Sequence, residues 1–390
     1  MLKECPYYKR VSHTRVAFAL TLALSVIAGT AAKSDDPVPA VWPVAASWPK
    51  SFPLVDAISL VMGGSRLFVV EPTQVSAFAW SDGELLWKSD LSATTRPVAD
   101  EGRLFVSAGD AIHALSDANG KEEWRLTVGK ISISPAARSG WLIVSAEDLS
   151  LQGISAAQGR EVWRIALPAA LTAPVAIDAD LVIGASADGF VRAWQIADGA
   201  VRWTTELGTR PTQLIAGSGH VFVGGEDGHL ISLRQRDGHE NWRYALEMSI
   251  AGRLAFDERH VYATTIDNSV HAHAFNGHQR WHKPLAFRVV DGMFSDSGSV
   301  FVPQSNGEIR IFVAKDGTRA GRLNTSPEDA GVIGGLVAGG AAEQLRMAMT
   351  VSAGSQLTVT TYRRTGLAAV PATSAPQGTP LLLSLPGGRP

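Results

Sequence analysis

A glycine followed four residues later by a tryptophan recurs six times along this chain. The copies are Gly83…Trp87, Gly120…Trp124, Gly159…Trp163, Gly199…Trp203, Gly238…Trp242 and Gly277…Trp281. Successive tryptophans stand 37, 39, 40, 39 and 39 residues apart. A strand-rich unit repeating near every 40 residues specifies a propeller array, because each unit must bury its faces against its neighbours.

The unit between residues 173 and 207 shows the grammar. Ala-Pro-Val-Ala-Ile, Leu-Val-Ile-Gly-Ala, Val-Arg-Ala-Trp-Gln-Ile and Val-Arg-Trp-Thr-Thr-Glu-Leu are short β-rich runs, separated by turns at Asp178-Ala-Asp, Asp188-Gly189 and Asp198-Gly199. Such pairs are hairpin signals, and four strands make one antiparallel blade. Before the fourth strand the turn is nearly constant: Asp82-Gly83, Asn119-Gly120, Gln158-Gly159, Asp198-Gly199, Asp237-Gly238, Asn276-Gly277 and Asp316-Gly317. The third strand carries a small residue, Ala77, Ala114, Gly153, Ala193, Ser232 or Ala272. The expectation is that these small residues let neighbouring blades approach, while the tryptophan fills the wedge that opens with radius.

Counting first-to-third strand sets gives eight, with the last at about residues 330–365. Counting fourth strands also gives eight, provided the count starts at Trp48, one period before Trp87, and ends at Gly321, which stands where an eighth tryptophan would. The predicted fold is an all-β, eight-bladed propeller of four-stranded antiparallel blades over residues 46–365. The Trp48 segment completes the last blade and leaves no open edge. Trp48, Trp87, Trp124, Trp163, Trp203, Trp242 and Trp281 are the expected structural anchors.

Residues 1–32 read as a secretory signal: Lys9, Arg10 and Arg15, then an apolar run from Val16 to Gly29, then Thr30-Ala31-Ala32 as a cleavage site. The run is short for a membrane span, so no integral span is expected after cleavage. Residues 33–45 form a Pro-rich lead-in, and residues 366–390 a Pro/Gly-rich tail with an apolar patch at Leu381 to Leu385. The single cysteine, Cys5, precedes the apolar run, so a lipoprotein anchor, a disulfide and cysteine chemistry are not expected. The formal net charge is −2, and no basic run is present, which argues against a nucleic-acid partner. The chain reads as a monomer of the periplasm, or secreted, in a Gram-negative-type envelope.

Units such as Ile112-His-Ala-Leu…Asn-Gly120-Lys-Glu-Glu-Trp124 and Val191-Arg-Ala-Trp…Asp-Gly199-Ala-Val-Arg-Trp203 resemble the pyrroloquinoline-quinone-type propeller repeat. The resemblance spans about residues 46–365. One branch of that family comprises quinoprotein dehydrogenases, which hold the quinone and calcium on the propeller axis. Another comprises non-enzymatic eight-bladed proteins of the BamB type, which act in outer-membrane protein assembly. In size, export signal and closing strand this chain is similar to the second branch. What the resemblance implies is a non-catalytic scaffold that holds envelope proteins by its rim, with no cofactor. A small quinoprotein dehydrogenase using PQQ and calcium is the alternative, and an anion- or sugar-binding propeller is a third reading.

Four arginines are the candidate ligand or partner rim. Aligning repeats on the second strand puts Arg96 and Arg253 in one register, in blades two and six. Arg210 and Arg288 lie three to four residues upstream of it. Together they would suit a carboxylate, a phosphate or an acidic peptide. His271, His273, His278 and His282 fall within twelve residues, but packing explains them better than a metal. Asp178, Asp180, Asp188, Asp227 and Asp257 read as turn formers. Asp56 and Asp291, on inner strands, are thin support for an axial quinone base. No catalytic or metal residue is assigned.

Overall fold

The computed structural model of the chain describes residues 44–53, 59–290, 292–296, 298–324, 333–339, 346–353 and 356–364. The signal and tail segments, Asp56 and Asp291 lie outside them. Eight four-stranded antiparallel sheets follow one another in chain order. Seven are consecutive: residues 59–89, 98–127, 131–166, 176–206, 211–245, 255–284 and 294–324. The eighth combines Ile333–Gly339, Arg346–Ala353 and Gln356–Arg364 with Val44–Pro53, the first strand of the chain. That strand starts two residues ahead of the expected boundary at 46. It pairs antiparallel with Gln356–Arg364, setting Trp48 opposite Thr361 and Ser51 opposite Thr358. The first strand of blade one, Ser59–Gly63, lies against the first strand of blade eight, so the ring closes.

The tryptophans do more than fill a wedge. Each indole Nε1–H donates to a backbone carbonyl of the following blade: Trp48 to Trp80, Trp87 to Asp117, Trp124 to Ala156, Trp163 to Ile196, Trp203 to Gln235, Trp242 to Phe275 and Trp281 to Ala314, at 2.7–3.0 Å. Each ring lies against the turn glycine of that following blade. At Gly238, φ is +70°, and a Cβ would fall 2.5 Å from the Trp203 ring. Glycine is required there both for its conformation and for its missing side chain. The same seat recurs from Gly83 under Trp48 to Gly317 under Trp281.

The small third-strand residues have a different role from the one the spacing suggests. They stand directly opposite the tryptophan within the same blade: Ala77 faces Trp87, Ala114 faces Trp124, Gly153 faces Trp163, Ala193 faces Trp203, Ser232 faces Trp242 and Ala272 faces Trp281. A Cβ on Gly153 would overlap the Trp163 ring. They therefore make room for the indole rather than for the next blade. Blade seven inverts the pair, with Ile311 opposite Gly321. The reason lies in blade eight. Its third and fourth strands come from opposite ends of the chain, so it has no Asx-Gly hairpin to seat a tryptophan.

Candidate functional site

Antiparallel blades give the ring two unlike faces. The turns between first and second strands and between third and fourth strands share one face. The tight loops between second and third strands and the connectors between blades share the other. All four candidate arginines lie on this connector face. The connectors run between neighbouring loops: Leu246 N–H donates to Gly228 O and Ile266 N–H to Ser249 O, and Leu285 N–H donates to Asn268 O and Ser305 N–H to Arg288 O.

The same bonds fix equivalent positions. Thr94 N–H donates to Ser107 O and Ala251 N–H to Thr264 O, and Arg96 and Arg253 each stand two residues later. The two arginines thus share a register, as their spacing predicts. Arg96 reaches sideways and donates from Nη2 to Leu60 O at 2.9 Å, linking blade two to blade one. Arg253 is exposed, and a Cβ on Gly292 would fall 2.9 Å from its own Cβ. Arg210 and Arg288 share a second position, where the carbonyl accepts from the loop of the same blade. Lys130 occupies that position in blade three, its carbonyl accepting from Glu147. Sequence reading missed it, although its distance to the second strand of its blade matches that of Arg288. Lys130 pairs with Glu147 at 2.9 Å and Arg210 with Glu226 at 3.8 Å, both in the open. Such exposed pairs contribute little stability, about 0–1 kcal/mol.

Between blades five and seven this face also carries apolar side chains in the open. Met248 is 45% exposed, Ile266 62% and Phe287 44%. The bonds above tie the backbones that carry them: Met248 precedes Ser249, which receives Ile266 N–H, and Phe287 stands two residues after Leu285, which donates to the loop of Ile266. Arg253 and Arg288 sit on the same two connectors. Nothing in the sequence separates these residues from the core aliphatics of the strands. Their position, Met248 and Phe287 on connectors and Ile266 on the tight loop between second and third strands, is the signal that identifies them.

The turn aspartates do more than form turns. Asp178 pairs with Arg138 of the preceding blade at 3.0 Å. Asp180 accepts from Gln195 Nε2, and Asp227 pairs with His229 at 2.8 Å. Arg192 holds Asp188 at 2.6 Å, keeping its carboxyl below the usual carboxylate range despite partial burial. Arg192 also lies over the Phe190 ring at 4.8 Å.

The histidines separate. His271 stacks on its cross-strand partner His282, ring centroids 4.4 Å apart. His273 packs between Trp242 and Tyr244 of blade five. His278 is exposed on the turn. Among the described residues no three His, Cys, Asp or Glu side chains form a group that could hold a metal ion.

Burial, then the neighbouring His282 and His273, pushes the His271 imidazole down to about 4, against a weaker pull from Asp267. The unfolded chain therefore binds a proton that the folded chain refuses. The stability contributed by a neutral His271 is complete above the unfolded value near pH 6.5 and is lost as pH falls toward 4, by up to about 3 kcal/mol. Urea denaturation at pH 7, 6, 5 and 4.5 checks this. His271→Leu should flatten the slope over that window, and an unchanged slope would assign the pH dependence elsewhere.

The comparisons with known proteins follow the same architecture. The sequence model of the family described as outer membrane protein assembly factor BamB matches residues 71–218, 150–249 and 226–366. No curated protein sequence matches the chain. The crystal structure of BamB from Moraxella catarrhalis is similar at 18% identity and a TM-score of 0.63, covering 81% of this chain and 97% of that one. A quinohemoprotein alcohol dehydrogenase from Comamonas testosteroni is similar at 13% identity and a TM-score of 0.65, covering 85% of this chain and 78% of that one. A second such dehydrogenase, from Pseudomonas putida, is 13% identical with a TM-score of 0.62, covering 89% and 78%. At these identities the structural likenesses speak for the propeller alone. No helix among the described residues is long and apolar enough to cross a membrane.

Proposed function

The chain belongs to the family of the outer membrane protein assembly factor BamB, and from that membership we propose that it is a non-catalytic envelope scaffold that binds partner proteins through its connector face. The observation that carries the reading is the Met248, Ile266 and Phe287 patch, with Arg253 and Arg288 on the same connectors. Methionine, phenylalanine and arginine are enriched in protein interfaces. Neighbouring exposed apolar side chains rimmed by charge mark an interaction surface rather than ordinary solvated loops. The closed ring supports side-chain docking over strand addition. Export to the periplasm and outer-membrane protein assembly are parts of the same proposal, supported by the family and by the N-terminal signal pattern.

A photo-crosslinking amino acid at Ile266 in intact cells tests it. The expected product is a covalent adduct with an envelope protein, lost in a variant carrying Met248→Glu and Phe287→Glu. Those exposed substitutions should change stability by less than about 0.5 kcal/mol. No adduct at Ile266, with adducts from a site on the opposite face, would overturn the assignment. The dehydrogenase reading has a separate test on the purified protein. The candidate acids Asp56 and Asp291 lie outside the described residues. Dye-linked oxidation of alcohols or sugars after adding pyrroloquinoline quinone and calcium would establish that reading instead.

A further inference from the structure

The turn face, opposite the patch, holds a cleft at the seam between blades six and seven. Its volume is about 530 Å³, within the range of small-molecule pockets, and Asp257, Glu258, Arg259, His260, Ala314 and Lys315 are among its walls. The preceding seam shows why it is open. His220 and His260 occupy the same position at the start of the second strand in blades five and six. Phe275 and Ala314 are likewise equivalent: Phe275 N–H donates to Arg259 O and Ala314 N–H to Gly298 O, and each carbonyl receives the indole of the preceding blade. At the first seam the Phe275 ring covers His220, centroids 4.7 Å apart. At the second, alanine replaces that ring, and His260, 7% exposed, borders the cleft.

The repeat departs from its pattern again behind His260. Where blade five has Phe222, blade six has Tyr262, fully buried, whose hydroxyl donates to Asp257 Oδ2 at 2.5 Å. Asp257 also accepts from the backbone of Arg259 and His260, and His260 Nδ1 lies 3.3 Å from Oδ2. Burial opposes the charge on Asp257, yet these bonds hold its carboxyl below the usual range. The carboxylate is thus engaged inward, and it fixes the imidazole through Nδ1. Arg259 and Lys315 flank the cleft with exposed cations.

We propose that this cleft is a binding site for an aromatic carboxylate, its ring over the His260 imidazole as Phe275 lies over His220, and its carboxylate against Arg259 and Lys315. The shape follows from the protein's own repeat, since the missing Phe275 equivalent leaves alanine where a planar ring would lie. Arg259 and Lys315 complement one anionic group, and the exposed Glu258 on the same wall limits the site to a single negative charge held between those two cations. The chemistry fits a free aromatic acid and equally the terminal residue of a chain ending in phenylalanine.

Isothermal titration of the purified protein with N-acetyl-phenylalanine tests the site, with its amide and acetate as controls. Binding is expected for the acid and roughly tenfold weaker binding for the amide, about 1.4 kcal/mol. Ala314→Phe should abolish binding while leaving the melting temperature unchanged or higher, because it copies the neighbouring seam. Lys315→Glu, on an exposed side chain, should weaken binding in a protein whose packing is untouched. A peptide ending in phenylalanine that binds more tightly than the acetylated amino acid assigns a chain terminus, and equal binding assigns the free acid. No binding of any probe to the unaltered protein, or binding to Ala314→Phe equal to it, overturns the proposal.

Discussion

Replacing Trp203 by alanine should cost about 3–5 kcal/mol, the range for large-to-small changes in a packed core. Trp203 is 7% exposed, in a cluster with Val191, Ala193, Val221 and Ile231 that spans blades four and five. Its removal also strips Gln235 O of the indole donor at 2.7 Å and leaves a buried acceptor without it. Trp203→Phe keeps most of the apolar area and loses the bond, so about 1–2 kcal/mol is expected. Val201→Ala, two residues away and 61% exposed, is the control and should fall within about 0.5 kcal/mol. Urea denaturation followed by tryptophan fluorescence and circular dichroism measures all three.

The partner in this joint gives a stricter test. In Gly238→Ala the new Cβ meets Trp203 and Thr205 Oγ1, both at 2.5 Å, at a φ that side chains rarely adopt. If indole and glycine form one joint, the double variant loses less than the sum of the two single changes, because removing the ring removes the clash. Strict additivity would mean that the seat carries no energy of its own, and a loss below about 1 kcal/mol for Trp203→Ala would sink the account outright.

This joint marks how far the sequence could be read. Period, strand grammar, blade count and closure by the Trp48 segment follow from spacing alone, because a repeat that packs only on its neighbours must keep its length. The pairing inside the repeat does not follow. Gly238 and Trp242 look like one motif, but the ring seated on Gly238 is Trp203, from the repeat before. A linear motif records which residues travel together and not which of them touch. Gly321 reads in the sequence as a lost anchor. In the structure it follows from closure, since blade eight has no hairpin glycine to receive an indole, and Ile311 grows where its equivalents are small. The candidate sites divide in the same way. Arg96 and Arg253 could be aligned because strand register is periodic. Met248, Ile266 and Phe287 could not be told from core residues, because exposure belongs to the connector or loop rather than to the residue type. The cleft at His260 needs two comparisons at once, His260 with His220 and Ala314 with Phe275, across seams that are not adjacent in sequence.

Closure itself is the second point of large expected effect. The strand Val44–Pro53 reaches blade eight from the far end of the chain, so the ring is held shut by noncovalent pairing between segments more than 300 residues apart. Ser51 and Thr358 are cross-strand partners whose hydroxyls lie 3.4 Å apart, and Ser51 is exposed. Directly opposed side chains on one face are near the separation a disulfide requires. Cys5 is the only native cysteine, and it precedes the predicted cleavage site, so Ser51→Cys with Thr358→Cys leaves no competing thiol in a chain cut there. Because the bond closes most of the chain into one loop, the entropic gain should approach about 5 kcal/mol, with about 2–4 kcal/mol expected once strain is included. In a thermal melt the oxidised protein should unfold about 3–6 °C above the unaltered protein, and reductant should return it close to the starting value. The oxidised form should also unfold more slowly, because peeling the closing strand exposes a sheet edge and opens the ring without breaking any blade's interior. If the bond forms and the unfolding rate does not change, the closing strand is not where the ring first opens, and the seam between blades seven and eight, which has no docked tryptophan, becomes the place to look.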